Sequence, residues 1–158
     1  MIKGGQEVMA ETKGRLYKRD TATRTLEEFV ERIESYWPSA KHIEKYPIDI
    51  KEIIVFGSYA KGADKVHDLD IFISIDFDRD KMDEYADGRS FEGNVIEATV
   101  HMRENFGKFL KRDSRLISLH VDEFSYPGER EIAVSDTHYC IYKDGEFLYD
   151  AIEALKAL

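Results

Sequence analysis

Residues 53–74, IIVFGSYAKGADKVHDLDIFIS, decide the fold of this 158-residue chain. Residues 51–56 are rich in β-branched side chains and end at Gly57-Ser58, a pattern typical of a buried strand followed by a tight turn. Residues 68–76 (DLDIFISID) carry apolar side chains at alternate positions, which predicts a second strand with one apolar face. The segment between the two strands is short and contains a second glycine, Gly62. We therefore predict two strands joined by the Gly57-Ser58 pair and a short helix-like segment that contains Gly62.

The two ends of this segment carry groups suited to a phosphate and a cation. Gly57 lets a ligand approach the backbone closely, and Ser58 adds a hydroxyl donor beside the amides that follow. Asp68 and Asp70 lie two residues apart on one strand face, about 7 Å from each other. Mg²⁺ prefers one or two carboxylates together with substrate phosphates. Alone, the Gly-Ser pair is also typical of an ordinary turn, and the two aspartates are typical of a solvated strand end. If the two strands are neighbours, however, the turn and the carboxylates face one pocket that could hold a nucleoside triphosphate.

This combination resembles the DNA polymerase β-like nucleotidyltransferase superfamily, particularly its minimal nucleotidyltransferase members. The residues that match are Gly57, Ser58, Gly62, Asp68 and Asp70. The close match covers residues 53–74, and a looser similarity in element order covers about residues 25–125. The resemblance implies a mixed central sheet, Mg²⁺ (two ions with the triphosphate bound), and transfer of a nucleoside monophosphate to a hydroxyl, with pyrophosphate leaving.

The resemblance also assigns roles to individual residues. Asp68 and Asp70 would be catalytic and would bind the metal, whereas Gly57, Ser58 and Lys61 would bind the nucleotide. Lys61 stands where many relatives carry a basic residue, although an exposed helix lysine needs no such role.

The third carboxylate of such sites belongs on the third strand, which the sequence predicts at residues 116–121. The matching position is Ser118, which cannot supply a carboxylate. Asp122, at the strand end, is assigned as the third catalytic acid, and the alternative is that the chain has none. His120 could act as a base, although a structural histidine in a strand explains it equally simply.

Two classes of function remain open. The first is an Mg²⁺-dependent enzyme that transfers the nucleotide to a hydroxyl of a protein or small-molecule acceptor. The resemblance suggests a helical HEPN-type protein as one such partner, which would make this chain the antitoxin-like half of a two-gene pair. The alternative is a catalytically impaired module of the same fold that binds a nucleotide or a partner. The sequence leaves open the base preference, the acceptor and the oligomeric state.

The remaining patterns predict helices around this sheet. Leu26, Phe29, Val30, Ile33 and Trp37 follow a capping-box pattern at Thr25 and stop at Pro38, which predicts a helix. Further segments are a charged loop (77–93), a helix (94–112), a turn at Pro127-Gly128, a hairpin around Asp144-Gly145 (138–149) and a terminal helix (151–158). The expected fold is α+β, a small mixed sheet flanked by helices with a C-terminal β-hairpin. Residues 1–20 are expected to form a flexible arm and residues 21–158 a single domain.

Composition excludes several other classes. The chain has 32 acidic and 23 basic residues and a net charge of −9. A protein that binds duplex nucleic acid usually has a basic face, which this composition does not favour. The longest apolar run is residues 53–56, far too short to span a membrane. The first twenty residues lack the apolar core of a signal peptide, and the single cysteine, Cys140, cannot pair internally. We therefore expect a cytoplasmic protein.

Overall fold

A five-stranded mixed sheet organises the fold in the computed structural model, which describes residues 15–88, 94–122 and 128–158. In chain order the elements are β1 (Tyr17–Lys18), α1 (Arg19–Glu31), a π-helical turn (Arg32–Tyr36), α2 (Trp37–Glu44), β2 (Ile48–Phe56), α3 (Gly57–Ala60), β3 (Lys65–Val66), β4 (Leu69–Phe77), α4 (Arg79–Gly88), α5 (Val95–Lys111), β5 (Ile117–Val121), α6 (Glu129–Val134), β6 (His138–Lys143), β7 (Glu146–Phe147) and α7 (Tyr149–Lys156). The strand order is β5-β4-β2-β6-β7, and β1 and β3 form a separate two-stranded ribbon. The predicted α+β class, with a mixed sheet flanked by helices, is confirmed.

The first two predicted strands are neighbours in the sheet. β2 and β4 pair antiparallel and place Phe56 directly opposite Asp70. On the other side of β4, β5 runs parallel and places Ser118 opposite Asp70. A parallel pair requires a crossover connection, which here contains α4 and α5. Three sequence segments thus meet side by side at one end of the sheet.

Hydrophobic residues cover both faces of this sheet. The larger cluster contains β4 residues such as Leu69 and Ile71 together with side chains of α1 and α5. A smaller cluster on the opposite face contains Ile54, Phe72 and Ala133. Phe72 is therefore fully buried although it shares a strand face with Asp70, because α6 covers it.

Arg19 joins three parts of the chain and fixes the turn after β2. Its Nη1 donates to the carbonyl oxygens of Tyr59 (2.8 Å) and Ala63 (3.2 Å), and its Nη2 donates to that of Leu155 (2.8 Å). The guanidinium also lies 4.0 Å from the centre of the Tyr59 ring. The start of α1 and the C-terminal helix therefore both hold α3 in place.

The N-terminal region differs from the prediction. Residues 17–20, expected to belong to a flexible arm, pair with β3 and begin α1, whereas residues 1–14 of that arm lie outside the described residues. Thr25 is not a helix cap but lies inside α1, where its hydroxyl donates to the Thr21 carbonyl oxygen at 3.1 Å. A capping-box pattern can therefore occur within a helix that starts earlier.

The helix also continues past Pro38. Proline lacks an N–H and its ring crowds the carbonyl four residues earlier, so it normally interrupts a helix. Here a π-helical turn (Arg32–Tyr36) precedes it, and Pro38 lies in the first turn of α2. The prediction that Pro38 ends the element was wrong, since the chain continues as α2 to Glu44 with Pro38 in the first turn, where proline is tolerated.

The region between β4 and β6 contains two helices that the sequence did not indicate. Residues 77–93 were expected to form a loop, but α4 (Arg79–Gly88) occupies most of them, and residues 89–93 lie outside the described residues. The short α6 follows Gly128; Pro127 of the predicted turn lies outside the described residues. The predicted helix at residues 94–112 is confirmed as α5.

The C-terminal hairpin and helix are confirmed. Lys143 pairs with Glu146 around Asp144-Gly145, both of which have the positive φ angles that a two-residue hairpin turn requires (49° and 89°). The terminal helix begins at Tyr149, two residues before the predicted start. Within the described part of the chain, no helix is long and apolar enough to cross a membrane.

Candidate functional site

Gly57 and Asp70 pack directly against each other at the end of β2. Gly57 has φ +77°, and a Cβ built on it would lie 2.3 Å from Asp70 Oδ2. Because side chains of L-residues disfavour that φ and the added atom would overlap the carboxylate, only glycine fits this position. The structure therefore brings the predicted phosphate turn and a predicted metal-binding carboxylate into contact.

Ser58 and Asp68 complete the part of the site that the sequence predicted. Ser58 lies in the first turn of α3 with its side chain exposed, and its carbonyl oxygen accepts hydrogen bonds from the Lys61 and Ala63 amides. Asp68 is exposed and immediately precedes β4, so strand alternation places it on the same face as Asp70. The Asp70 side chain is 22% exposed. The Asp68 carboxylate is thus open to solvent, whereas the Asp70 carboxylate is held in the wall of the site.

His120 occupies the side of Asp70 where a third carboxylate was sought. Ser118, the position at which the resemblance implies the third carboxylate, is directly opposite Asp70 in the parallel register. Two residues further along β5, His120 Nε2 lies 3.7 Å from Asp70 Oδ1 and 3.3 Å from the Ser118 hydroxyl. The opposite nitrogen, Nδ1, lies 2.9 Å from Glu129 Oε2. His120 therefore bridges two carboxylates and packs edge-on against the Phe56 ring, with centroids 5.2 Å apart.

The two carboxylates, Asp70 and Glu129, shift the pKa of His120. Asp70, followed by Glu129, raises the pKa of His120 above its usual value, and partial burial of the ring acts in the opposite direction. The imidazolium form is favoured because both ring nitrogens face an acceptor. Protonation of His120 would place a positive charge beside Asp70.

The structure does not bring Asp122 into this site. Its amide donates to the Ile73 carbonyl oxygen at 2.8 Å, and the Ser74 hydroxyl donates to its carboxylate at 3.5 Å. Asp122 therefore lies level with Ser74, four strand positions from Asp70, or about 13 Å along the sheet. The assignment of Asp122 as third acid does not fit this placement, because β5 keeps the register that puts Ser118 beside Asp70.

Lys61 is paired away from the carboxylates in this structure. Its Nζ lies 2.6 Å from Asp136 Oδ2, on the segment that leads into β6. That contact, together with the backbone amide of Thr137, lowers the pKa of Asp136. Both side chains are more than half exposed, so the pair contributes little to stability. A role for Lys61 in binding a triphosphate would require it to exchange this partner.

Glu129 is the site residue that sequence reasoning missed. It is the first residue of α6, and its partner His120 lies on β5, with residues 123–127 outside the described residues between them. Two contacts hold α6 over the sheet: Ala133 packs on Ile54 and Phe72, and Arg130 donates to Glu52 with both Nε and Nη2. The only sequence signal was an acidic residue after Pro127-Gly128, which is common at helix starts and indicates no particular partner.

The carboxylates of this site fit a cation whose remaining ligands come from a bound substrate. Among the residues that the structure describes, no three His, Cys, Asp or Glu side chains are grouped to hold a metal ion. The site does contain two carboxylates with hard oxygen ligands, Asp68 at the rim and Asp70 against Gly57. Mg²⁺ is commonly bound in this way, by one or two carboxylates and the phosphates of a nucleotide. A metal and a phosphate would therefore share the space in front of Gly57.

Comparison with known protein families matches residues 26–123 to the nucleotidyltransferase domain. No curated protein and no solved structure gave a significant match. The matched range covers more than half of the 158 residues and includes β2, α3, β4 and β5, the elements that assemble the site. It also includes Gly57, Ser58, Asp68 and Asp70, which the structure places at one end of the sheet. The chain therefore belongs to the nucleotidyltransferase domain family.

Proposed function

We propose that this protein transfers a nucleoside monophosphate from a nucleoside triphosphate to a hydroxyl group, with Mg²⁺ held by Asp68 and Asp70. The observation that carries the proposal is the contact between Gly57 and the Asp70 carboxylate, which joins the phosphate turn to the metal-binding strand. Family membership supports nucleotidyl transfer in general, and the donor set supports the metal.

In the proposed reaction, the turn at Gly57 and Ser58 binds the triphosphate and the acceptor hydroxyl approaches from the side of β5. The acceptor oxygen forms a bond to the α-phosphorus while the bond to the bridging oxygen breaks, and pyrophosphate leaves. Bound Mg²⁺ would stabilise the negative charge that develops on the phosphate oxygens. Asp70 is oriented for this role by Gly57 on one side and by His120 on the other.

The acceptor hydroxyl also has to lose its proton. In this chain Ser118 stands where the resemblance implies a third carboxylate, so no carboxylate on β5 lies level with Asp70. We infer that this proton passes to His120, which reaches Asp70 from β5, is oriented by Glu129 through Nδ1, and accepts the proton at Nε2 when its imidazole is neutral.

Ser118, in place of a third carboxylate, also supports a second candidate function. A chain that has lost the third carboxylate could bind a triphosphate through Ser58, Asp68 and Asp70 without transferring it. Such a protein would act as a nucleotide-binding or partner-binding module. Nucleotide binding is common to both proposals, and turnover distinguishes them.

The test is pyrophosphate release from each of the four nucleoside triphosphates, with Mg²⁺ and a set of acceptors. The acceptors include a helical HEPN-type protein, which the family resemblance suggests, and small hydroxyl compounds such as an aminoglycoside. Pyrophosphate release that is lost in Asp70→Asn supports the enzyme. Nucleotide binding without release for any acceptor supports the module, and absence of nucleotide binding excludes both.

A further inference from the structure

A cavity lies beside the C-terminal end of α5 and shares no residue with the site at Gly57. Its volume is about 410 Å³, within the range of small-molecule pockets. Its lining includes Arg32, Glu44, Asn105, Lys108, Phe109 and Arg112.

Arg32 is the unusual residue in this cavity. It is 7% exposed, and it is the one charged side chain among the described residues that is buried. Its Nη1 donates to the Leu110 carbonyl oxygen at 2.9 Å. Within the described part of the chain, no ion pair forms with Arg32, and its Nη2 and Nε, which meet no protein acceptor, keep some access to solvent.

Burial of a guanidinium with one neutral protein acceptor costs free energy to the extent that water no longer reaches its other donors. Burial, followed by the nearby charge of Arg112, lowers the pKa of Arg32. Glu28 acts in the opposite direction but forms no ion pair with it. An anion placed in the cavity would offset this cost.

The charge of the lining indicates which anion would fit. Three cations, Arg32, Lys108 and Arg112, face one carboxylate, Glu44. The cavity therefore has two formal positive charges in excess, although the chain as a whole has a net charge of −9. A phosphate monoester carries a charge of about −1.5 to −2 at neutral pH, which balances this excess, whereas one carboxylate balances half of it.

We propose that this cavity binds the phosphate group of a small phosphorylated ligand, with Arg32, Lys108 and Arg112 as its cationic contacts. The planar guanidinium of arginine matches the geometry of phosphate oxygens. Phe109 provides an apolar surface for the organic part of the ligand, and the Asn105 amide can donate to or accept from it.

Trp37 provides a built-in probe for the test. It is the only tryptophan in the chain, and its ring centre lies 5.6 Å from that of Phe109. Inorganic phosphate and phenyl phosphate would be titrated into the full chain while its fluorescence is followed, with calorimetry as a second measurement. Sodium chloride at equal ionic strength controls for general salt effects, and acetate tests whether a carboxylate suffices.

Two cavity variants and one matched control give the test its specificity. Lys108→Gln and Arg112→Gln each remove one cation at an exposed side chain, so the fold should survive. Lys111→Gln changes the same residue type in the same last turn of α5, but Lys111 does not line the cavity. Asp70→Asn, titrated with Mg²⁺ present, tests whether the phosphate binds instead at the candidate nucleotide site.

We expect saturable phosphate binding that is about tenfold weaker or more in Arg112→Gln and Lys108→Gln, with Lys111→Gln and Asp70→Asn unchanged. The proposal is overturned if neither measurement detects saturable phosphate binding or if acetate binds as tightly as phosphate. Equal weakening in Lys111→Gln, or loss of binding in Asp70→Asn, would also overturn it.

Discussion

At the scale of single residues, Gly57 and Asp70 determine the shape of the site together. Glycine was predicted here because a ligand has to approach the backbone. The structure adds a second requirement, since the space of a Cβ is filled by the Asp70 carboxylate. Any larger residue would therefore displace a group that we propose to bind metal, in addition to straining the backbone at φ +77°.

This double requirement gives a prediction with an internal control. Gly57→Ala should destabilise the protein by about 1–3 kcal/mol and remove triphosphate binding. Gly107→Ala, in the middle of α5 where nothing lies within 4 Å of the added atom, should instead stabilise it by about 0.5–1 kcal/mol. Chemical denaturation and nucleotide titration measure both effects. Wild-type nucleotide affinity in Gly57→Ala would remove the turn from the proposed site.

The position of Asp122 leads to a second prediction. Because this carboxylate lies beside Ser74 rather than Asp70, Asp122→Asn should change turnover and nucleotide affinity by less than about twofold. Asp70→Asn should abolish both. Steady-state kinetics and equilibrium binding on the two variants provide the comparison. A large loss of turnover in Asp122→Asn would mean that the strand register changes when substrate binds.

His120 makes stability depend on pH in a defined direction. Asp70 and Glu129 raise its folded-state pKa above the unfolded value of about 6.5, so protonation favours the folded state. The resulting stabilisation is fully present below the unfolded pKa and is lost as the pH rises through the folded pKa.

In metal-free buffer, the melting temperature of wild type should therefore exceed that of His120→Gln most clearly at about pH 5.5 and least at about pH 9. Thermal melts with a chelator present provide the measurement. A difference that instead grows as the pH rises would contradict the arrangement of His120 between two carboxylates.

At the scale of elements, the short helix α6 both completes the site and covers one face of the sheet. It supplies Glu129 to His120, and it covers the second face of the sheet by packing Ala133 on Ile54 and Phe72. Arg130, half exposed, also donates twice to Glu52, whose side chain is 14% exposed. Burial of Ala133 and the Arg130–Glu52 contact together hold the helix over the site.

Adjacent residues of α6 allow this to be tested. Ala133→Glu would bury an unpaired charge and should destabilise the protein by about 3 kcal/mol or more. Ile132→Glu introduces the same side chain at a position that is 60% exposed and should change stability by less than about 0.5 kcal/mol. Denaturant unfolding of the pair distinguishes the two positions. Similar losses in both variants would show that α6 is not held by Ala133.

Elements with strong local patterns were predictable from the sequence, and elements fixed by distant partners were not. The alternation of β4, the helical spacing of α5 and the Asp144-Gly145 turn all identified their elements correctly. Helix α4 was missed because its charged sequence resembles a loop. Glu129 was missed because its role depends on β5, and no local pattern records that contact.

At the scale of the whole molecule, the site draws on three chain segments that the mixed sheet brings together. β2 provides the turn, β4 the carboxylates and β5 the position opposite Asp70. The resemblance and the strand patterns were enough to predict the first two and the serine on the third. The chain has a net charge of −9, so a triphosphate is repelled unless the charge near it is neutralised. Nucleotide binding should therefore require a divalent cation.

The most direct test of the central claim is equilibrium binding of non-hydrolysable triphosphates to wild type and to the Asp68→Asn, Asp70→Asn double variant, with and without Mg²⁺. Thermal melts of both proteins accompany the titrations. We predict Mg²⁺-dependent binding in wild type and none in the double variant. At about pH 9, where the contact of Asp70 with protonated His120 contributes least, the double variant should melt at the same temperature or slightly higher because like charges are removed. Undiminished, metal-independent binding in the double variant, or a melting temperature well below wild type, would contradict the claim that Asp68 and Asp70 hold the metal of a nucleotide site.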